Sequence, residues 1–313
     1  MRTTILWSVL LALLSLTSCQ KTKVEPVSNI PTATLGEGAI WHPGKKALLW
    51  VDIIKGKVFM YQPSKGMIHN ISLEGMVGTV VPAKGDYLAV AAQETGIYGI
   101  TPDEELKLLT PFPGDAEPNV RFNDGKCDPA GRFWVGTMSK SEKPNAGKLY
   151  MMHGDSLIVK QSDVTISNGI VWDTNKHLMY YIDTPTQSVF AYDYIPETGE
   201  IANRRVVVTV PKEMGSPDGM TIDSEGKLWI AHWGGYGVYR WDPDNGELLG
   251  KIEVPAPNVT SCAFGGNKLQ TLYITTARVG LTKEQLDHYP LSGSLFAVKT
   301  TAKGIPANLF SED

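Results

Sequence analysis

The sequence predicts an all-β protein, a six-bladed β-propeller whose four-stranded blades surround a central channel. One pattern, a D-x-x-G turn or a variant of it between two apolar strands, recurs six times along the chain. The repeats start 40, 46, 45, 50 and 42 residues apart, and such a period is typical of propellers and other repeat arrays. Beyond the N-terminal leader, no stretch keeps a helical period over 12 residues. A parallel β-solenoid is the alternative, but its rungs are shorter than this period.

The first element is a hydrophobic leader, predicted to be a lipoprotein signal peptide over residues 1–18. One cationic residue, Arg2, precedes an apolar run over 5–16 that is short for a membrane span but typical of a secretory signal. The run ends in the letters LTSC at 16–19, which resemble the lipobox of bacterial lipoproteins. That resemblance implies cleavage before Cys19 and lipidation of its thiol. An ordinary signal peptide with an incidental cysteine is the alternative.

Residues 19–33 are predicted to be a tether between this anchor and the propeller, which is predicted over 34–313. The segment is polar and contains proline. Gln20 stands where many lipoproteins that remain in the inner membrane have an aspartate. We therefore expect the protein on the periplasmic side of the outer membrane, attached to the membrane only through its lipid anchor.

Each of the six repeat units is predicted to contribute one blade. Short runs of apolar β-formers, such as Ala47–Val51 and Leu228–Ala231, are bounded by Gly, Pro, Asn and Asp turns. Beyond the leader, the only helix that the sequence suggests is a single turn at Thr282–His288. Tryptophans at equivalent strand positions predict packing between blades; they are Trp41, Trp50, Trp134, Trp172 and Trp229.

Composition and charge indicate a folded protein and bear on one class of partner. Of the 313 residues, 42% are hydrophobic and 20% are charged, and this balance predicts a folded globular protein. The formal net charge is −4 and no dense Lys/Arg cluster occurs, so nucleic-acid binding is disfavoured. Cys127 and Cys262 lie in distant repeats and predict two buried thiols in preference to a disulfide. We expect a monomer.

The start of each innermost strand is predicted to be functional. At this position, five residues before the turn, the six units carry Glu37, Val77, Asn123, Asn168, Asp218 and Thr260. Innermost strands begin at one mouth of the channel, so these side chains would meet around its axis. Four of the six are Glu, Asn, Asn and Asp, whose oxygens suit a hard divalent cation. A polar, water-filled and inert channel is the alternative.

Several segments, in order along the chain, carry a resemblance to one known family. They are GEGAIW, RFNDGKCDPAGRFWVGTM, SNGIVW, YYIDT, PDGMTID, LWIAHWGG and FGG with LYITTAR. From Gly36 to Phe310 the chain resembles the family of senescence marker protein (regucalcin), gluconolactonase and luciferin-regenerating enzyme. The resemblance implies a six-bladed propeller with one divalent cation on its axis and, in many members, hydrolysis of sugar lactones.

The resemblance also implies roles for individual residues. Carried over position by position, the metal ligands of the family fall on Glu37, Asn168 and Asp218, and its substrate contacts fall on Arg121 and Asn123. An acidic residue after the GTM segment contacts substrate in some members. Whether Glu142 or His232 has such a contact here stays open.

The resemblance, together with these residues, implies a hydrolase acting on carboxylic ester bonds, namely a metal-dependent lactonase for sugar (aldono-)lactones such as a gluconolactone. The cation (Ca, Mg, Mn or Zn) would polarise the lactone carbonyl, while Asp218, or hydroxide held by the cation, would activate water. No GxSxG elbow supports a serine triad. The alternatives are another esterase or phosphotriesterase on the same centre, a non-catalytic metal- or ligand-binding propeller, and a protein-interaction propeller.

Overall fold

A computed structural model describes residues 23–114, 116 and 118–312 of the chain. The predicted signal peptide over 1–18 and the predicted lipidation site Cys19 lie outside the described residues. The described chain forms six four-stranded antiparallel sheets, each of which is one blade. The predicted all-β, six-bladed propeller is therefore confirmed.

The strands of a blade follow one another in the chain, from the innermost strand outward, and one N-terminal strand precedes them. The strands are β1 (Glu25–Pro26); β2 (Gly36–His42), β3 (Ala47–Asp52), β4 (Lys57–Gln62) and β5 (Gly66–Ser72) in blade 1; β6 (Val77–Pro82), β7 (Ala89–Gln93), β8 (Gly96–Ile100) and β9 (Leu106–Pro111) in blade 2; β10 (Val120–Cys127), β11 (Phe133–Ser139), β12 (Gly147–His153) and β13 (Ser156–Val164) in blade 3; β14 (Ser167–Asp173), β15 (Leu178–Asp183), β16 (Ser188–Ile195) and β17 (Glu200–Thr209) in blade 4; β18 (Ser216–Ile222), β19 (Leu228–Trp233), β20 (Gly237–Asp242) and β21 (Glu247–Glu253) in blade 5; and β22 (Val259–Gly265), β23 (Thr271–Thr276) and β24 (Phe296–Lys299) in blade 6.

The ring of blades closes through both ends of the chain. The innermost strands contact one another in cyclic order, and β22 packs back against β2. The short strand β1 pairs with β24, with Glu25 opposite Ala297, and so supplies the outer strand of blade 6. Because β1 lies inside the segment 19–33 that was predicted to be a tether, the propeller begins nearer the N-terminus than the predicted boundary at residue 34. A pairing between residues so distant in the chain leaves no local signal in the sequence.

In blades 3 and 5, the aspartate of the repeated turn accepts a hydrogen bond from a buried tryptophan of the same hairpin. In blade 3, Asp128 Oδ1 accepts hydrogen bonds from two backbone amides of the turn, and its Oδ2 accepts one from the Trp134 indole at 2.9 Å. Asp223 and Trp229 repeat the indole contact in blade 5 at 2.9 Å. Gly131 closes the blade 3 turn at a φ of +90°, a conformation that favours glycine. In these two blades the D-x-x-G turn therefore fixes the packing of its own hairpin.

The hydrophobic core lies within and between the blades. Trp134 of blade 3 meets Trp172 of blade 4 edge to face, with ring centroids 5.8 Å apart. Cys127 and Cys262 are free, buried thiols, as predicted. The five tryptophans that were predicted to pack between blades are all buried; they are Trp41, Trp50, Trp134, Trp172 and Trp229.

Helices in the described chain are short and lie in connections. The 3₁₀ turn Thr184–Thr186 follows β15, and a second, Lys212–Met214, precedes β18. The helix α1, Lys283–His288, confirms the predicted single turn, and its capping box joins Thr282 and Gln285 through reciprocal hydrogen bonds. Within the described residues, none of the helices combines the length and the hydrophobicity that a membrane crossing requires.

Every innermost strand contains a β-bulge near its first residues. A bulge leaves residues without a cross-strand partner and changes the direction of their side chains. Because the six bulges occupy equivalent places in the repeats, they turn one set of side chains toward the same mouth of the channel. The shifts in register fall at Glu37/Ile40, Val77/Thr79, Phe122/Gly125, Asn168/Ile170, Pro217/Met220 and Val259/Ser261.

Candidate active site

The bulges bring all of the predicted metal- and substrate-binding residues to one cavity at the mouth of the channel. The cavity has a volume of about 420 Å³. The carboxyl groups of Glu37 in blade 1 and Asp218 in blade 5 lie close enough together there for each to affect the ionisation of the other. Each predicted residue is at most 8% exposed, so the site is recessed below the surface. The predicted residues in its wall are Glu37, Arg121, Asn123, Asn168 and Asp218.

Asn168 is held so that its amide oxygen has no protein partner. The Thr184 hydroxyl donates a hydrogen bond to the carbonyl oxygen of Pro217 at 2.8 Å. That hydroxyl can therefore only accept the second bond, 2.9 Å long, from Asn168 Nδ2. Asn168 Oδ1 is left buried and without a hydrogen-bond partner among the described residues, as a metal ligand would be before the metal binds.

Burial and mutual repulsion make the carboxyl groups of Glu37 and Asp218 hard to ionise. Burial, followed by the charge of Asp124, raises the pKa of Glu37 to about 8. Burial, followed by the charges of Glu37 and Asp124, raises the pKa of Asp218 well above its ordinary value. Without a compensating charge, the pair therefore keeps a proton at neutral pH. A divalent cation bound beside the pair would remove this repulsion.

The oxygen donors fit a hard divalent cation. Asp218 Oδ1, like the oxygen of Asn168, is buried without a partner among the described residues. No group of three His, Cys, Asp or Glu side chains in the described part of the chain is arranged to hold a metal. A cation here would thus depend on the Asn168 amide oxygen as well as on the carboxylates of Glu37 and Asp218, a donor set of the kind that Ca²⁺ and Mg²⁺ use. Two of the six equivalent strand positions, Val77 and Thr260, offer neither a carboxylate nor an amide oxygen.

Arg121 and Asn123 form a hydrogen-bonded pair beside these acids. Arg121 Nη1 donates to the carbonyl oxygen of Phe122 at 2.9 Å and to Asn123 Oδ1 at 2.7 Å. Asn123 Nδ2 donates in turn to the carbonyl oxygen of Ser167 in the next blade at 2.7 Å. Burial lowers the pKa of Arg121 to about 10, and the charges of Glu37 and other acids oppose this shift. The guanidinium therefore stays cationic at neutral pH, and Asn123 fixes its position.

Asp124 is a buried acid of the site that sequence reasoning missed. It lies in the same bulge as Asn123 and is 4% exposed. Its Oδ1 accepts from the Gly125 amide at 2.8 Å, and its Oδ2 has no partner among the described residues. Its charge helps to raise the pKa values of both Glu37 and Asp218. The sequence shows two consecutive polar residues here, but that both are left unpaired by a bulge is visible only in the structure.

Glu142 and His232, whose contact with substrate the sequence left open, occupy different places in the structure. Glu142 lies in the wall of the cavity, in the connection between β11 and β12, with a left-handed φ of +56°. His232 does not line the cavity. Its Nδ1 contacts the Met214 carbonyl oxygen at 2.9 Å, and its ring stacks on Tyr239 with centroids 4.0 Å apart. Its neighbour Trp233 lines the cavity instead, because consecutive strand residues face opposite sides.

Comparison with known proteins agrees with this architecture. Residues 35–278 match the family described as SMP-30/Gluconolactonase/LRE-like region. The Bacillus subtilis (strain 168) protein YvrE, whose name describes it provisionally as a sugar lactone lactonase, is 37% identical over 282 residues, which are 90% of this chain and 96% of YvrE. Regucalcin from Danio rerio is 39% identical over 276 residues, which are 87% and 93% of the two chains.

The solved structures agree as well. A calcium-binding protein, regucalcin, from Agrobacterium tumefaciens str. C58 superimposes with a TM-score of 0.85 at 25% identity, over 90% of this chain and 95% of the other. The sequence match and the shared fold both run through the propeller and include the strands that carry the cavity. The resemblance read from the sequence is therefore confirmed, and the chain belongs to the SMP-30/gluconolactonase/LRE-like family.

Proposed function

We propose that the protein is a metal-dependent lactonase that hydrolyses sugar lactones of the aldonolactone type. One observation carries the proposal. Two buried carboxyl groups that repel each other and an amide oxygen without a partner face one cavity beside a buried arginine. Such a set suits a hydrolase that stabilises negative charge on a carbonyl oxygen. The similarity to YvrE supports the same class of carboxylic ester substrate.

Glu37, Asn168 and Asp218 are the residues that would hold the cation. Their oxygens favour Ca²⁺, Mg²⁺ or Mn²⁺ over Zn²⁺, which more often takes nitrogen and sulfur ligands. The Agrobacterium relative is described as a calcium-binding protein, which supports a cation at this place. When bound, the cation would act as a Lewis acid toward the substrate carbonyl.

In this proposal Asp218 acts as the general base. Its Oδ1 has no partner among the described residues and can accept a proton from a water molecule that attacks the lactone carbonyl carbon. The water oxygen adds to the carbonyl carbon first, which places negative charge on the carbonyl oxygen, and the ring carbon–oxygen bond breaks when the carbonyl re-forms. The proton held by Asp218 then passes to the alkoxide that leaves the carbonyl carbon, so that ring opening is balanced without a second acid.

Arg121 and Asn123 would orient the substrate. Two of the five N–H groups of Arg121 are used within the protein, and the remaining three can bind hydroxyl or ester oxygens. Because Asn123 is itself anchored to the neighbouring blade, the guanidinium is held in place before substrate binds. Such preorganisation lowers the barrier by avoiding an ordering cost in the transition state. Several donors in one small site favour a polyhydroxylated lactone.

Acid release from a panel of aldonolactones tests the proposal. We expect hydrolysis that a chelator abolishes and that one of Ca²⁺, Mg²⁺, Mn²⁺ or Zn²⁺ restores. A protein that binds the cation but hydrolyses no lactone would instead be a metal-binding propeller. A rate that chelation leaves unchanged would contradict the metal dependence.

We also propose that the chain is anchored by a lipid on Cys19 and faces the periplasm from the outer membrane. This proposal is based on the N-terminal sequence. Metabolic labelling with a fatty acid, followed by membrane fractionation, tests it in the wild type and in Cys19→Ser. We expect label and outer-membrane location only in the wild type, and an unlabelled wild-type protein would contradict the anchor.

A further inference from the structure

The wall of the cavity changes character from its base to its mouth. The base is formed by the polar bulge residues described above. Further out, where the strands end at the mouth, six of the lining side chains are apolar and lie beside the polar Glu142, Thr184 and Ser216. We call this set the apolar rim; it consists of Leu35, Ile53, Met138, Ile166, Trp233 and Val279.

Trp233 is the residue that sets this rim apart from the hydrophobic core. Seven tryptophans lie in the described part of the chain, and the other six are 0–7% exposed. Trp233 is only half-buried, at the end of β19, and lines the cavity. Among the described residues, no aromatic ring stacks on it and no side chain forms a hydrogen bond with it. A Cβ at Gly280 would lie 3.8 Å from the indole, so the glycine leaves that side of the ring uncovered.

A polyol by itself would not use this rim. Each hydroxyl placed against an apolar wall loses its hydrogen bonds to water, at a cost of about 1–3 kcal/mol. The cavity, at about 420 Å³, falls in the range of roughly 300–1,000 Å³ that encloses drug-sized ligands and exceeds what a single lactone ring requires. The rim is continuous with the polar base, so one molecule can occupy both. The part of that molecule that contacts the apolar rim would then be apolar.

We propose that the substrate is a lactone that carries an alkyl substituent of several carbons, with the substituent bound on the apolar rim. The inference rests on the proposed lactonase function and narrows its substrate class. The lactone carbonyl lies toward Glu37, Asn168 and Asp218, and polar substituents of the ring lie toward Arg121. The alkyl chain leaves the ring on the side of Trp233 and extends toward Val279.

A series of γ-lactones that differ only in alkyl chain length tests the rim. We expect kcat/KM to rise roughly fourfold for each of the first methylenes added and then to level off, because each buried methylene contributes about 0.8 kcal/mol. In Trp233→Ala, we expect the ratio of kcat/KM for hexyl- to methyl-substituted lactone to fall about tenfold, as loss of part of a large apolar contact requires. Tyr236→Ala is the matched control, because Tyr236 is an exposed aromatic in the same connection whose ring packs near Tyr289 at 5.3 Å. This variant should keep the wild-type ratio.

Two results would overturn the inference while the lactonase proposal stands. One is hydrolysis of aldonolactones with a flat response to alkyl chain length. The other is a preference for glycosyl-substituted over alkyl-substituted lactones, which would make the rim a sugar subsite. Non-hydrolysable γ-alkyl lactams separate failure of the catalytic proposal from failure of this one. If no lactone is hydrolysed, calorimetric affinity for the lactams that rises with chain length in wild type, but not in Trp233→Ala, still supports an amphipathic site, and equal affinities overturn it.

Discussion

At the scale of single residues, one hydroxyl group decides which atom of Asn168 faces the cavity. Thr184 can only accept from the Asn168 amide, since its own proton goes to the Pro217 carbonyl oxygen. Groups that orient a metal ligand in this way affect metal affinity almost as strongly as the ligand itself. Thr184 was not among the residues that the sequence predicted, because its role depends on a contact between two blades.

Replacing Thr184 by valine tests this arrangement. Thr184→Val keeps the volume but frees the amide to rotate, and we expect cation affinity to fall about 10–100-fold. Thr186→Val is the matched control in the same 3₁₀ turn, because the Thr186 hydroxyl donates to the Asp183 carbonyl oxygen and does not contact Asn168. Calorimetric titration with Ca²⁺ or Mn²⁺ measures both. An unchanged affinity in Thr184→Val, or an equal loss in the two variants, would contradict the role.

A second substitution separates activity from stability at Asp218. Asp218→Asn keeps the shape of the side chain but removes the base, and we expect kcat/KM to fall about 10²–10⁴-fold. The same change removes one of the two carboxyl groups that repel each other. Thermal unfolding in chelator should therefore show a variant at least as stable as the wild type. Near wild-type turnover would remove Asp218 from the mechanism, and a large loss of stability would show a structural role instead.

At the scale of elements, the β-bulge is what converts a propeller strand into part of a site. In blade 1, Gly38 lies in the bulge with a φ of +63°, and its amide donates to Glu37 Oε2 at 3.1 Å. A Cβ at this position would lie 3.1 Å from Thr79 Oγ1 in the next blade. Glycine thus permits both the left-handed backbone and the close approach of two blades. The direction of the Glu37 carboxylate depends on this local conformation.

We expect Gly38→Ala to weaken cation binding as well as stability. Strain at a left-handed residue costs roughly 1–3 kcal/mol, and the crowding against Thr79 adds to it. Gly85→Ala is the matched control, because Gly85 has a φ of +74° in open space, with no atom within 4 Å of the added Cβ. Both variants should unfold at lower temperature, but only Gly38→Ala should lose affinity in a calorimetric titration. Wild-type affinity in Gly38→Ala would show that the bulge does not aim Glu37.

At the scale of the whole molecule, the acidic side chains gathered at the channel mouth destabilise the folded state. A bound cation would remove that destabilisation. Strands from blades 1, 3, 4 and 5 converge on a cavity in which Glu37, Asp124 and Asp218 repel one another. The propeller can hold these acids together because its blades are stabilised by their own cores and by the closing strand β1. The repulsion at this site therefore lowers local stability, as is common where a structure carries a functional site.

This repulsion predicts how stability depends on pH. In chelator, the native pair of Glu37 and Asp218 keeps a proton up to about pH 8, whereas the unfolded chain releases it near its ordinary pKa. Between about pH 5 and pH 8 the native state binds more protons, so the free energy of unfolding should fall as pH rises, by up to roughly 1.4 kcal/mol per pH unit for each proton. Saturating cation should remove this dependence, and Asp218→Asn should reduce it. Thermal scans in chelator that show flat or rising stability over this range would contradict the prediction.

Most of the fold was predictable because its signals are local and repeated. The Asp128 turn, its glycine and Trp134 form one contiguous unit, and the period of this unit gave the number of blades. The closing strand β1 was missed, because Glu25–Pro26 is recognised only by its partner near the other end of the chain. The positions of Glu37, Asn168 and Asp218 were predicted because they repeat at one place relative to each turn.

The amino-acid sequence by itself determined that this protein is a six-bladed propeller of one family and which strand positions carry hard oxygen donors, since period, turn chemistry and motif spacing are properties of short segments. Only the tertiary structure decided that Asp124 shares the ring, that Thr184 orients Asn168, and that Trp233 instead of His232 lines the cavity. These facts depend on bulges, connections and contacts between blades, which bring together residues that are far apart in the chain.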